Sequence, residues 1–182
     1  PADLIYNIQM LVNNLAVYIH WPFCLSKCPY CDFNSHVAAT IDQTRWRDAY
    51  LGEIKRLGAE TQGRVLQTVF FGGGTPSLLS PQAIDKLITG FRMLLPLSPQ
   101  AEITLEANPS SIEAGRFAAF RAAGINRVSI GVQSLNDDVL KFLGRPHSVD
   151  EAKAAIKIAA DTFDRYSFDL IYGRPEQSVE AW

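Results

Sequence analysis

Five short stretches, residues 17–21, 66–71, 102–106, 127–132 and 167–172, are dense in β-branched and aromatic residues and read as strands. Between them the apolar spacing changes to the helical period. Residues 43–60 carry Trp46, Tyr50, Ile54 and Leu57 on one helical face. Residues 80–95 open with Ser80 as N-cap and Pro81 at the first helical position, where a missing N–H costs nothing. Residues 111–122 follow a capping-box-like Ser110-Ser-Ile-Glu113 and stop at Gly124. A short helix is expected at 136–143, and an alanine-rich one at 149–163 with Asp150 and Glu151 in its first turn.

This alternation predicts an α/β fold built on a parallel sheet with right-handed crossovers. Periodicity alone admits an open doubly wound sheet as well as a barrel. In both, chemistry collects at the carboxyl ends of the strands, and here each strand end is unusual. The first strand runs into a cysteine-bearing loop, and the second ends in Gly72-Gly-Gly-Thr-Pro76. The third ends in Glu106-Ala-Asn108 and the fourth in Gln133-Ser134. The fifth carries Asp169 and ends at Gly173-Arg174-Pro175. Five strands thus deliver polar or glycine-rich groups to one rim, which predicts a single composite site. A carboxylate closing a buried parallel strand, as Glu106 and Asp169 do, is costly unless it is used. The triple glycine permits positive φ and close approach of a ligand to the backbone, or serves a tight turn. Neither a GxGxxG nor a GKS/T pattern occurs, so phosphate binding is the weaker option.

Composition narrows the classes. The 182 residues are 47% hydrophobic and 20% charged, ordinary for a domain with a sizeable core. A net charge of −2 offers no basic footprint, which argues against nucleic acid as a partner. No apolar run reaches the ~20 residues a transmembrane helix needs. Residues 1–15 read as an N-terminal extension. They lack a positively charged n-region and a small-residue cleavage site, and so do not resemble a signal peptide. Residues 177–182 read as the opening of a helix with Ser178 as N-cap, which predicts that the chain is the N-terminal part of something longer.

The three cysteines of the chain, Cys24, Cys28 and Cys31, fall within eight residues. Three close thiols without a distant partner cannot form a disulfide framework. They read as ligands converging on one metal centre in a reducing compartment, with cytoplasm the default. A structural zinc held by these thiols and His36 satisfies ligand chemistry, since Cys₃His sites are common. An iron–sulfur cube on three thiolates is the alternative and leaves one iron open for a small molecule. His20 and His147 read as hydrogen-bonded structural residues.

CxxxCxxC directly after an apolar strand resembles the radical S-adenosylmethionine (SAM) superfamily. The longer string Tyr18-Ile-His-Trp-Pro-Phe-Cys-Leu-Ser-Lys-Cys-Pro-Tyr-Cys-Asp-Phe-Asn-Ser-His36 resembles the branch holding oxygen-independent coproporphyrinogen III oxidase and the HemW-type heme chaperones. The likeness runs from about Leu15 to the end of the chain. It implies a partial (β/α)₆ barrel with about five of six βα units present, over a core domain at 16–182 truncated at its C-terminal end. It implies a 4Fe–4S cluster on Cys24, Cys28 and Cys31. It further implies SAM held by Tyr18, by Tyr30 against adenine and by the Gly73-Gly74-Thr75 turn. Glu106, Gln133, Arg145 and Asp169 match polar positions lining the SAM pockets. Implied partners are heme or porphyrin, a heme-recipient protein, and an electron donor such as flavodoxin or ferredoxin. The oxidase resembles CxxxCxxCxC, whereas Phe33 stands here at the further cysteine position. That departure favours a chaperone with heme as cargo over the oxidase, which remains the alternative.

Overall fold

A computed structural model describes residues 13–182 of the protein. Five strands form one wholly parallel sheet: β1 (Asn14–Trp21), β4 (Val65–Gly73), β5 (Leu97–Ala107), β6 (Arg127–Gln133) and β7 (Arg165–Leu170). Two further strands, β2 (Phe23–Cys24) and β3 (His36–Val37), make a separate two-residue parallel pair. The helices are α1 (Gln43–Glu60), α2 (Pro81–Leu94), α3 (Ser111–Ala114), α4 (Phe117–Ala122), α5 (Asp137–Phe142) and α6 (Val149–Thr162). The sheet order β1-β4-β5-β6-β7 follows the chain without reversal. A doubly wound sheet reverses its order at a switch point. The sequential order is that of a barrel segment.

One face of the sheet carries the core. Ile19 and Trp21 of β1, Leu66, Val69 and Phe71 of β4, Leu105 of β5, and Val128 and Ile130 of β6 pack with Ile84, Leu87, Ile88 and Phe91 of α2. Each such side chain taken out of water contributes about 1.5–3 kcal/mol. Helix α6 lays the small residues Ala152, Ala155 and Ala159 into this core, with Ile156 packed at its margin, so it can approach the sheet closely. The opposite face is polar. Glu102 and Thr104 of β5, Arg127 and Ser129 of β6 and Ser167 of β7 are linked by hydrogen bonds across the strands. Arg165 closes the set on Glu102 at 3.1 Å. This network fills the face at the amino ends of the strands and leaves the carboxyl ends open.

Three elements differ from the sequence expectation. The helix expected at 111–122 is broken into α3 and α4 around Gly115 and Arg116. Glu113 does not complete a capping box; it turns inward to accept bonds from Ser77 and Asn108. Residues 177–182 form turns rather than a helix, with Ser178 Oγ accepting from Ala181 N at 3.3 Å. One unsupported turn gains too few bonds to repay nucleation. The last strand ends at Leu170 and lies at the sheet edge, with Tyr166 and Phe168 exposed. Residues 1–12 of the expected N-terminal extension lie outside the described residues, and β1 already begins at Asn14.

Candidate metal and cofactor site

Cys24, Cys28 and Cys31 are free thiols on a loop closed at its base by the β2–β3 pair, Phe23 opposite His36 and Cys24 opposite Val37. The loop is stapled from within. Cys31 N donates to Cys28 O at 3.0 Å, and Lys27 Nζ reaches the carbonyls of Phe33 and Ser35 at 3.4 and 3.3 Å. Beneath it lies an aromatic cluster of Trp21, Phe23, Trp46 and Tyr50 with ring centroids 5.2–6.0 Å apart. Tyr50 Oη donates to His20 O at 2.6 Å, fixing the end of β1 from which the loop departs.

The end of β4 docks onto that loop. Gly74 N donates to Trp21 O at 2.6 Å and Thr75 N to Phe23 O at 2.7 Å. Gly73 has φ +112°, and a Cβ there would sit 2.7 Å from His20 Nδ1 and 2.8 Å from Trp21 O. A Cβ on Gly74 would lie 2.6 Å from Phe23 O. The glycines therefore serve first the contact between turn and cysteine loop. The Gly73 amide is taken by Glu106 Oε2 at 3.2 Å. With these amides occupied, the turn has only acceptor groups left for a ligand, which suits an ammonium.

A cavity of about 410 Å³ opens at the carboxyl ends of the strands. All three cysteines line it, as do Tyr30, Gly73, Gly74 and Thr75. Glu106, Gln133, Arg145 and Asp169 line it from the ends of β5, β6 and β7 and the loop after α5. Tyr18 is the predicted residue that the cavity does not include. Its ring stacks on Phe70 at 5.9 Å and is 57% exposed. His36 is exposed and off the lining, and among the described residues no three His, Cys, Asp or Glu side chains gather around a point as ligands of one ion would. His20 and His147 are hydrogen-bonded to the carbonyls of Asn34 and Val132.

Electrostatics mark the same residues. Burial and the nearby Asp169 raise the Glu106 carboxyl above its ordinary range, opposed by the bond from Gly73 N–H and by His20. Burial pushes the Tyr30 phenol up to about 12, with Cys28 adding to the rise and Arg145 opposing it. Arg145 is the chief cation facing the thiols. It donates to Cys28 Sγ at 3.2 Å, Tyr30 Oη at 3.4 Å, Asn108 Oδ1 at 2.7 Å and Gly131 O at 2.8 Å. Its Nε is buried with no partner among the described residues. Gln133 adopts φ +72°, a strained conformation for a non-glycine residue, at the point where β6 meets the cavity.

Sequence reasoning missed the residues that brace the site. Glu113, 4% exposed, accepts from the Ser77 hydroxyl and from Asn108 N at 2.8 Å. Arg116 holds the carbonyls of Ser77 and Leu79 at 2.8 and 2.6 Å. The one available signal for Glu113, its place three residues after a serine, pointed to a helix cap instead.

These residues fit an iron–sulfur cluster with a small zwitterion beside it. Free thiols face a cavity, hydroxyl and guanidinium donors are aimed at two of the sulfurs, and acceptors for an ammonium and an unfilled cationic N–H stand within the same walls. The family model of the radical SAM superfamily matches residues 18–182, and the chain belongs to that superfamily, whose members are implied to use SAM and a 4Fe–4S cluster. The chain is 48% identical over 168 residues to the heme chaperone HemW of Escherichia coli K12, covering 91% of this chain and 44% of the relative. It is 42% identical over 168 residues to the mitochondrial radical S-adenosyl methionine domain-containing protein 1 of Bos taurus, covering 92% and 38%. Among solved structures, coproporphyrinogen III oxidase (HemN) of Escherichia coli, described as a radical SAM enzyme, superposes with a TM-score of 0.83 at 31% identity. That match covers 96% of this chain and 42% of the other. The chain thus spans less than half the length of these relatives.

Proposed function

We propose that this chain is the cluster- and SAM-binding part of a HemW-type heme chaperone. The observation that carries the reading is the meeting of Cys24, Cys28 and Cys31 with the polar ends of β4, β5, β6 and β7 around one cavity. In this reading the three thiolates hold a 4Fe–4S cluster. Glu106 and the acceptor side of the Gly73–Gly74 turn receive the ammonium of SAM, and Arg145 meets its carboxylate. Gln133 and Asp169 hydrogen-bond the ribose, and Tyr30 offers its ring face to adenine. Tyr18 bears on the site through Glu106, whose charge it feels. When bound, the cluster and SAM supply one-electron cleavage of a carbon–sulfur bond, as the chemistry of such clusters provides. The protein's part is to position, to exclude water and to keep Glu106 and Arg145 in place.

Heme as cargo, a heme-recipient protein and a flavodoxin- or ferredoxin-like electron donor belong to the same reading, as does a reducing compartment such as cytoplasm. No helix among the described residues is long and apolar enough to cross a membrane. Phe33 supports the chaperone over the oxidase: it lines the cavity mouth, 60% exposed, where the oxidase pattern has a further cysteine. The structural likeness to HemN favours oxidative decarboxylation of coproporphyrinogen III as the second reading. Incubating the complete protein anaerobically with SAM, reductant and coproporphyrinogen III, alongside a spectrophotometric heme titration, separates the two. Stoichiometric heme binding without porphyrin turnover is expected; catalytic formation of protoporphyrinogen IX would overturn the chaperone reading.

A further inference from the structure

We infer that Asn108, one residue beyond β5, is a positioning residue that sets the hydrogen bonds donated to two of the three cluster-binding sulfurs; this rests on the cluster reading above. Its carboxamide serves two arms. On one side Oδ1 accepts from Arg145 Nη2 at 2.7 Å, and Nη1 of that guanidinium donates to Cys28 Sγ at 3.2 Å. On the other, Nδ2 donates to Thr75 Oγ1 at 3.3 Å, and Thr75 Oγ1 donates to Cys24 Sγ at 3.5 Å.

The chemistry leaves one orientation. Arginine has only donors, so the carboxamide must turn its oxygen to Arg145 and its nitrogen to Thr75. A threonine hydroxyl that accepts from Asn108 has its single proton left for Cys24. Asparagine thus orients both sulfur donors with one group. The residue is itself held: Glu113 Oε2 accepts from Asn108 N at 2.8 Å, and Glu113 Oε1 lies 3.5 Å from Nδ2. The same carboxylate accepts from Ser77, on the loop that carries Thr75. Gly131 O accepts from the same Nη2 at 2.8 Å and anchors that corner of the guanidinium. Bonds donated to cluster sulfurs favour the reduced, more negative state and raise the reduction potential. Loss of Asn108 should therefore lower it.

The test is an EPR-monitored redox titration of anaerobically reconstituted protein, without SAM, for Asn108→Ala, Asn108→Asp, Thr75→Val and the double variant Thr75→Val/Asn108→Ala. Asn108→Asp keeps the volume but accepts on both sides, drawing the Thr75 proton off Cys24, and carries the test if the alanine variant fails to fold. Both Asn108 variants are expected to bind iron and sulfide as the unsubstituted protein does. At a fixed poise near the midpoint their ratio of reduced to oxidised cluster falls on the order of tenfold, about 59 mV for one electron. The double variant shifts by less than the sum of its parts, because Asn108 acts partly through Thr75. Asn108 variants that titrate with the unsubstituted protein, or a fully additive double variant, overturn the inference. So does loss of the cluster from both Asn108 variants while Thr75→Val keeps it unshifted, since Asn108 is then structural alone. If the unsubstituted protein binds no cluster, the parent reading fails and this one with it.

Discussion

Replacing Gly73 by alanine tests how the cysteine loop and the β4 turn are joined. The backbone there has φ +112°, and holding an alanine in so sparse a region costs about 1–3 kcal/mol. The added methyl would lie 2.7 Å from His20 Nδ1 and 2.8 Å from Trp21 O. His20 cannot simply swing away, because Nε2 is bonded to Asn34 O at 2.9 Å. Trp21 O is main chain and already receives Gly74 N at 2.6 Å. Relief requires backbone movement, for which overpacking costs of about 1–3 kcal/mol apply. Together these give about 2–6 kcal/mol, or a fall in Tm on the order of 10 °C for a chain of this size. Urea and thermal melts followed by circular dichroism and by tryptophan emission, with Trp21 fully buried, read the change. Gly52→Ala is the internal contrast. Gly52 lies inside α1 with nothing within 4 Å of its ideal Cβ, so the same chemical change should stabilise by about 0.5–1 kcal/mol. A Gly73→Ala protein as stable as the parent would refute the close-approach argument.

Two further substitutions separate stability from ligand binding. Tyr50→Phe removes the bond to His20 O and should cost about 1 kcal/mol at neutral pH. Burial raises the folded Tyr50 phenol from 10.0 to about 12, so its contribution is intact below pH 10 and drains away as pH rises toward 12. Denaturation midpoints of parent and Tyr50→Phe proteins should therefore converge over that window, and a constant gap would contradict the assignment. Glu106→Gln should act with opposite signs in two assays. The folded carboxyl is raised by burial and Asp169, so ionised Glu106 costs stability at neutral pH, and the amide should melt no lower than the parent. Loss of a charge-assisted bond to an ammonium should weaken SAM binding about 10–100-fold by equilibrium dialysis; unchanged affinity would remove Glu106 from the ligand set.

The sheet was legible because its strands are apolar on the core face and end in chemically marked residues. Composition and spacing alone placed Glu106, Gln133 and Asp169 at one rim, and the structure brings them to one cavity with the cysteines. The choice between barrel and doubly wound sheet was not legible, since strand order is a property of pairing and leaves no periodic trace. The break between α3 and α4 was hidden for a related reason. Ser110 and Glu113 satisfy a local capping pattern, yet a buried pairing with Ser77 and Asn108 from distant elements wins. Tyr18, carried over by position, lies on the same sheet face as Glu106, whose charge it feels, while its ring stacks on Phe70 and stays off the cavity lining. Side-chain direction at a strand end is set by such neighbours and leaves no mark in the sequence. Arg145 came from resemblance alone. Nothing in a Gly-Arg-Pro-His loop foretells that it reaches Cys28, which lies 117 residues away in sequence.

The central claim is that three thiolates hold a cluster with an iron open to SAM. It is tested most directly by anaerobic reconstitution with iron and sulfide, followed by EPR of the reduced protein with and without SAM. Iron and sulfide bound in equal amounts, a cubane signal that changes shape on adding SAM, and loss of both in Cys24→Ala, Cys28→Ala and Cys31→Ala are the predicted results. A protein that takes up zinc and forms no cluster would contradict the account and make the cysteine loop structural.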